Sequence, residues 1–132
     1  MFVPHSYDGS MTPDSFEYHT PAKAAEIDVG MALAYAAGVL TIATGSTAPE
    51  YIAMQESPAG EETNIAVIRV QDGTVYETTL GEAIADIAEG KSYCLDTTGM
   101  MLAKPAQNTD AVFAKVVSFD GTAAGDKVRV RF

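Results

Sequence analysis

The sequence predicts an all-β chain, a small β-barrel or β-sandwich of about eight short strands behind an irregular N-terminal arm. Three observations carry that expectation. Most apolar runs are short and end at Gly, Pro, Asn or Asp, as in "VLTIAT", "TNIAVIRV" and "DAVFAKVVSF". The closing "KVRVRF" alternates strictly, with Val128, Val130 and Phe132 on one face and Lys127, Arg129 and Arg131 on the other. Finally, glycines fall between successive apolar runs, where a hairpin needs positive φ.

Taken in order, residues 1–22, "MFVPHSYDGSMTPDSFEYHTPA", hold both histidines and show no helical or strand period. They read as an extended arm, either a flexible terminus or a clasp for a neighbour. Residues 23–132 read as one β-rich domain. "MALAYAAGVLTIATG" predicts a hairpin turning at Gly38, and "EYIAMQ" a further strand. After "SPAGEE", "TNIAVIRV" leads through Asp72-Gly73 into "TVYETT", read as a two-residue hairpin. In "TLGEAIADIAEG", Leu80, Ile84 and Ile87 recur at helical spacing, so a short helix or turn is expected near 81–87. "SYCLDT" and "MMLAKP" flank Gly99. "VVSFDGTAAGDKVRVRF" closes the chain with a longer Asp120–Asp126 loop, in which Gly125 makes a second turn.

The domain also divides into two loosely repeated halves, 23–80 and 81–132. Gly30 aligns with Gly90, Leu33 with Tyr93 or its neighbour, Gly38 with Gly99 after one inserted residue, and Val39-Leu40 with Met100-Met101. Each half then runs through an apolar strand to Asp-Gly-Thr.

Length and charge limit the function classes. A chain of 132 residues supports one modest core. With 8 Lys plus Arg against 18 Asp plus Glu, the net charge is -10, which disfavours free nucleic acid and anionic membranes as partners. The same charge favours solubility, or docking on a basic surface. The opening residues do not read as a signal peptide, and no apolar run is long enough for a bilayer. One cysteine, Cys94, supplies no disulfide framework. A soluble protein made inside the cell is the expectation.

The search for chemistry yields no catalytic set. Asp8, Asp72 and Asp120 sit in Asp-Gly turns without the alternating acids of a calcium loop. His5, His19 and Cys94 lack zinc spacing. "EGKS" has Ala85 where a phosphate-binding loop requires its first glycine. No G-x-S-x-G is present, and Cys94 in "SYCLDT" reads as a small buried residue. No enzyme activity, metal or cofactor is expected.

"AEIDVGMALAYAAGVLTIATG", "EGKSYCLDTTGMMLAK" and the closing "GTAAGDKVRVRF" together resemble bacteriophage head decoration proteins, which cement or stabilise capsids, and similar phage structural proteins encoded in prophages. The pattern covers roughly residues 20–132 and has no invariant motif. It implies a non-enzymatic protein that binds the outside of an assembled capsid. Its partner would be the major capsid protein or another phage structural protein. A homo-oligomer is expected, a trimer among the options, located in the virion or, before assembly, in the host bacterial cytoplasm. The candidate contacts are Phe2, Val3, Pro4, Phe16 and Tyr18 in the arm, with Arg129 and Arg131 of the basic stripe as a second set. Two rival readings are a small β-barrel module that binds a peptide or saccharide, and an enzyme subunit without its own active site.

Overall fold

The computed structural model describes residues 1–7, 15–107 and 110–132. Among them there is no helix, and eleven strands form two antiparallel sheets. They are β1 (Val3–Tyr7), β2 (Phe16–His19), β3 (Ala32–Ala36), β4 (Val39–Ile42), β5 (Tyr51–Ala53), β6 (Ile65–Arg69), β7 (Thr74–Thr79), β8 (Ser92–Leu95), β9 (Leu102–Ala103), β10 (Ala114–Phe119) and β11 (Lys127–Arg131). The all-β class expected from the sequence is what forms, with more strands than expected and without a closed barrel.

The strand order exposes a duplication. One sheet runs β2-β6-β5-β3-β4, and the other runs β7-β11-β10-β8-β9 with β1 added outside β7. The pairing repeats residue for residue. Leu33 lies opposite Tyr51 as Tyr93 lies opposite Ala114, and Ala53 opposite Val67 as Val116 lies opposite Val130. Gly30 donates its N–H to the Ala53 carbonyl at 2.7 Å, and Gly90 donates to Val116 at 2.8 Å. Each sheet curls until the chain just past its first strand bridges to its last strand, Pro21 to Leu40 and Leu80 to Leu102. That single bridge stops short of closure.

The halves therefore meet at the Asp72-Gly73 turn rather than at 80/81. Residues Phe16–His19, expected in the arm, are the first strand of the first half. The two Asp-Gly-Thr segments are also not counterparts. Asp72-Gly73 follows β6 and carries the chain from one sheet to the other, so no β6–β7 hairpin forms. Asp120 instead opens the loop of the β10–β11 hairpin, with Gly125 at φ 89°, as the sequence predicts. At Gly38 the hairpin expectation also holds. Ala37 (φ 52°) and Gly38 (φ 83°) both take the left-handed conformation that a tight hairpin requires. The repeat carries two extra residues between β8 and β9, since Leu95 lies opposite Leu102 as Tyr35 lies opposite Leu40.

The arm is not irregular where it is described. β1 pairs with β7, with a bulge between Pro4 and Ser6. Proline disguised this strand, yet an edge strand tolerates a residue that cannot donate a ladder hydrogen bond. Of the helix or turn expected at 81–87, the turn forms, with a bend at 81–82 and a turn at 85–86. Ile84 donates its N–H to the Thr122 carbonyl at 2.9 Å, and Ile87 to Ile84 at 3.2 Å. So short a helix is weak alone, and the tertiary bond from Ile84 to Thr122 holds the backbone in another form. Ile84 and Ile87 still point inward and are buried.

Two cores follow from the duplication. In the first half, Leu33, Leu40, Tyr51, Ala53, Ile65 and Val67 pack with Ile27 and Met31. Their counterparts Tyr93, Leu102, Ala114, Val116, Val128 and Val130 fill the second half. Volume is conserved by exchange: a Leu33–Tyr51 pair becomes Tyr93–Ala114, which keeps each interior filled. The second cluster also takes in Ala32, Ile52 and Ile68 from the opposite face of the first sheet. The outer face of one half thus packs onto the core of the other. Gly99 seats at this junction and donates no side chain because none fits: a Cβ there would lie 2.7 Å from the Ala43 carbonyl oxygen.

Candidate interaction surface

The expected contact residues do not act together. Phe2 is fully buried, its ring 5.2 Å from that of Phe132 and its N–H bonded to the Gly30 carbonyl at 2.8 Å. It belongs to a nest with Tyr76, Phe113 and Phe132, so it is a core residue rather than a partner contact. Sequence reasoning missed this because an aromatic near a chain end carries no period to mark it as buried. Pro4 is half-buried opposite Tyr76, while Val3 remains exposed opposite Glu77.

Arg129 is also committed within the chain. Its Nε donates to Glu77 at 3.0 Å and its Nη1 to Asp120 at 2.8 Å, and Lys127 reaches Glu77 at 3.1 Å. Lys127 and then Arg129 hold the Glu77 carboxyl below its ordinary range, and Arg129 does the same to Asp120. The basic stripe is thus largely neutralised by acids. Asp120, first met as a turn acid, serves there as an Arg129 partner. Arg131 is half-buried beside a shallow cleft shared with Glu89 and Lys115.

Phe16 and Tyr18 remain. Each is 61% exposed on β2, where the residues alternate outward and inward with Glu17 and His19. Their partners across the strand are Ile68 and Ala66, so they share the face that Ile68 turns toward the second half. They stand at the margin of that buried face, an aromatic pair at a sheet edge.

The reverse face of β2 carries a polar network that the sequence did not reveal. Arg69 Nε donates to Glu17 Oε1 at 2.9 Å, and its Nη2 donates to Glu17 Oε2 at 3.1 Å and to the Tyr51 hydroxyl at 2.5 Å. The guanidinium lies 4.8 Å from the Tyr51 ring centre. His19 Nε2 is 3.0 Å from Glu17, and its ring packs against Tyr35 and Tyr51. Arg69 first, then His19, lowers the Glu17 carboxyl from an ordinary 4.5 to about 2. This arrangement orders β2 against β6.

A cleft of about 450 Å³ opens between the halves, lined among others by Gly45, Glu82, Cys94, Asp96, Lys104 and Asp110. The Cys94 thiol donates to the Ala111 carbonyl at 3.2 Å, and burial pushes it up in pKa, away from the thiolate form. Lys104 and Glu82 pair at 3.6 Å. Among the described residues no group of three or more His, Cys, Asp and Glu is placed to hold a metal ion. Asp8 lies outside the described residues. No protein-family model matches the chain, and no curated protein matches it.

Proposed function

We propose that this chain is a non-enzymatic phage structural protein that binds the outside of an assembled capsid and stabilises it. One observation carries the reading: Phe16 and Tyr18 form an exposed aromatic pair on an edge strand, and aromatics at such positions are common anchors of protein interfaces. The phage resemblance of the Gly-spaced strands supports the choice of partner. The charge of -10 suits docking on a basic shell surface and keeps the free protein soluble. A ligand that binds only the assembled shell stabilises it by mass action, by about 2.7 kcal/mol at a hundredfold excess over Kd.

The test is co-sedimentation of the full chain with capsids assembled from a phage major capsid protein. Pelleting with shells, and a rise in the shells' thermal transition, is the expected result. No binding at micromolar concentration would end the reading. Light scattering on the free protein measures the expected homo-oligomer, a trimer among the options. The rival reading, a peptide- or saccharide-binding module, draws on the cleft beside Cys94. It predicts that Asp96→Ala, rather than changes on β2, abolishes binding.

A further inference from the structure

The two halves treat the outer edge of their first strand differently. In the second half that edge is covered. β1 lies antiparallel along β7, with Val3 opposite Glu77, Pro4 opposite Tyr76 and Tyr7 opposite Thr74. In the first half the counterpart strand is β2, and among the described residues no strand lies along its outer edge. One sheet therefore has six strands and the other has five. An uncovered edge presents unpaired N–H and C=O groups, a template for another extended chain.

We propose that the outer edge of β2 is a strand-addition site, completed by an extended segment of the shell subunit. The proposal rests on the capsid reading above and specifies its contact. Within this molecule β1 already shows what the edge accepts, since "VPHSY" is extended and carries no acidic residue. In the register that β1 takes, the residues opposite Glu77 and Tyr76 would stand opposite Tyr18 and Glu17. Phe16 and Tyr18 would flank the incoming strand with aromatic surface. A second copy is the poorer occupant, because its charge of -10 is repelled by an identical one. Its own β1 is also held in place by the buried Phe2. The occupant is therefore a neutral or basic extended segment of a different protein.

Hydrogen exchange on the full chain, with and without assembled shells, reads the backbone directly. Among Phe16–His19, the amides that face away from β6 should exchange at least about tenfold more slowly in the bound state, because strand pairing protects amides that side-chain docking leaves open. The double variant Phe16→Lys, Tyr18→Lys should keep the unfolding midpoint, since both side chains are exposed. It should lose at least about tenfold in shell affinity, as edge lysines block pairing. Shell binding with unchanged β2 exchange would overturn this inference and leave the capsid reading standing. No shell binding by the unmodified chain would overturn both. Slow β2 exchange in the free protein, together with a dimer mass by light scattering, would make a second copy the occupant and also overturn it.

Discussion

The two halves share strand order, register and turn glycines, yet equivalent positions have opposite chemistry. Glu17, Arg69 and Glu50 in the first half correspond to Tyr76, Phe132 and Phe113 in the second. In the first set Glu17 and Arg69 form a partly exposed ion pair with Glu50 nearby, and the second set is an aromatic nest closed by Phe2. The outer faces differ in the reverse sense. Ala32, Ile52 and Ile68 are buried against the second half, while their counterparts Ser92, Lys115 and Arg131 are polar or charged. The packing is thus head to tail. A head-to-tail contact joins two different patches, so repeating it continues into a ring or a filament. Polar residues at both free ends stop the stack at two units, as capping repeats do in longer arrays.

Exchanging residues between the halves tests this most strongly. Tyr76→Glu would bury a carboxylate among Phe2, Phe113 and Phe132, and should cost about 3–5 kcal/mol at pH 7. Glu17→Tyr, the reverse exchange, leaves Arg69 half-exposed and still bonded to Tyr51, so about 1 kcal/mol or less is expected. Denaturant unfolding of both variants measures the contrast. Equal losses would mean that the halves are not the opposites described.

The turn glycines provide a smaller contrast. Gly38→Ala meets open space, so only the positive φ counts, at about 1 kcal/mol. Gly99→Ala adds collisions with the Ala43 carbonyl and the Ile42 side chain, for about 3 kcal/mol in total. Thermal melts of the pair would show whether the second turn, unlike the first, is a joint between halves.

The smallest effect concerns pH. Glu17 has its carboxyl lowered from 4.5 to about 2 in the folded state, so the unfolded chain binds its proton more readily. The stabilisation is fully present above pH 4.5 and is lost as pH falls toward 2. Because the pair is partly exposed and screened, its share is of the order of 1 kcal/mol. Glu17→Gln should remove that share of the acid dependence in unfolding curves. The lowered carboxyls of Glu77, Asp86 and Asp120 should keep the remainder. An unchanged pH profile would show that the Arg69 pair contributes nothing.

Much of the fold was legible because strands declare themselves locally. The alternation of "KVRVRF" and the glycine of each hairpin depend on neighbours within a few residues. Gly30 and Gly90, and Leu33 and Tyr93, which a loose internal match set side by side, hold equivalent places in the two sheets, although the strand order divides them at Asp72-Gly73 rather than at 80/81. The surface was less legible. Phe16 and Tyr18 were named as contacts and are exposed, but Phe2 and Arg129 were named with them and serve the fold itself. Nothing local separates these cases, since an exposed and a buried phenylalanine in an arm look alike in a string of residues.

By itself, then, the sequence determined most strands after the arm, most of the turns and the acidic charge, all set by backbone sterics and composition. Tertiary structure alone decided which edge β1 covers, which aromatic is buried and which acid each arginine meets. Those choices depend on pairings between residues far apart in the chain, and their energies exist only once both halves are folded against each other.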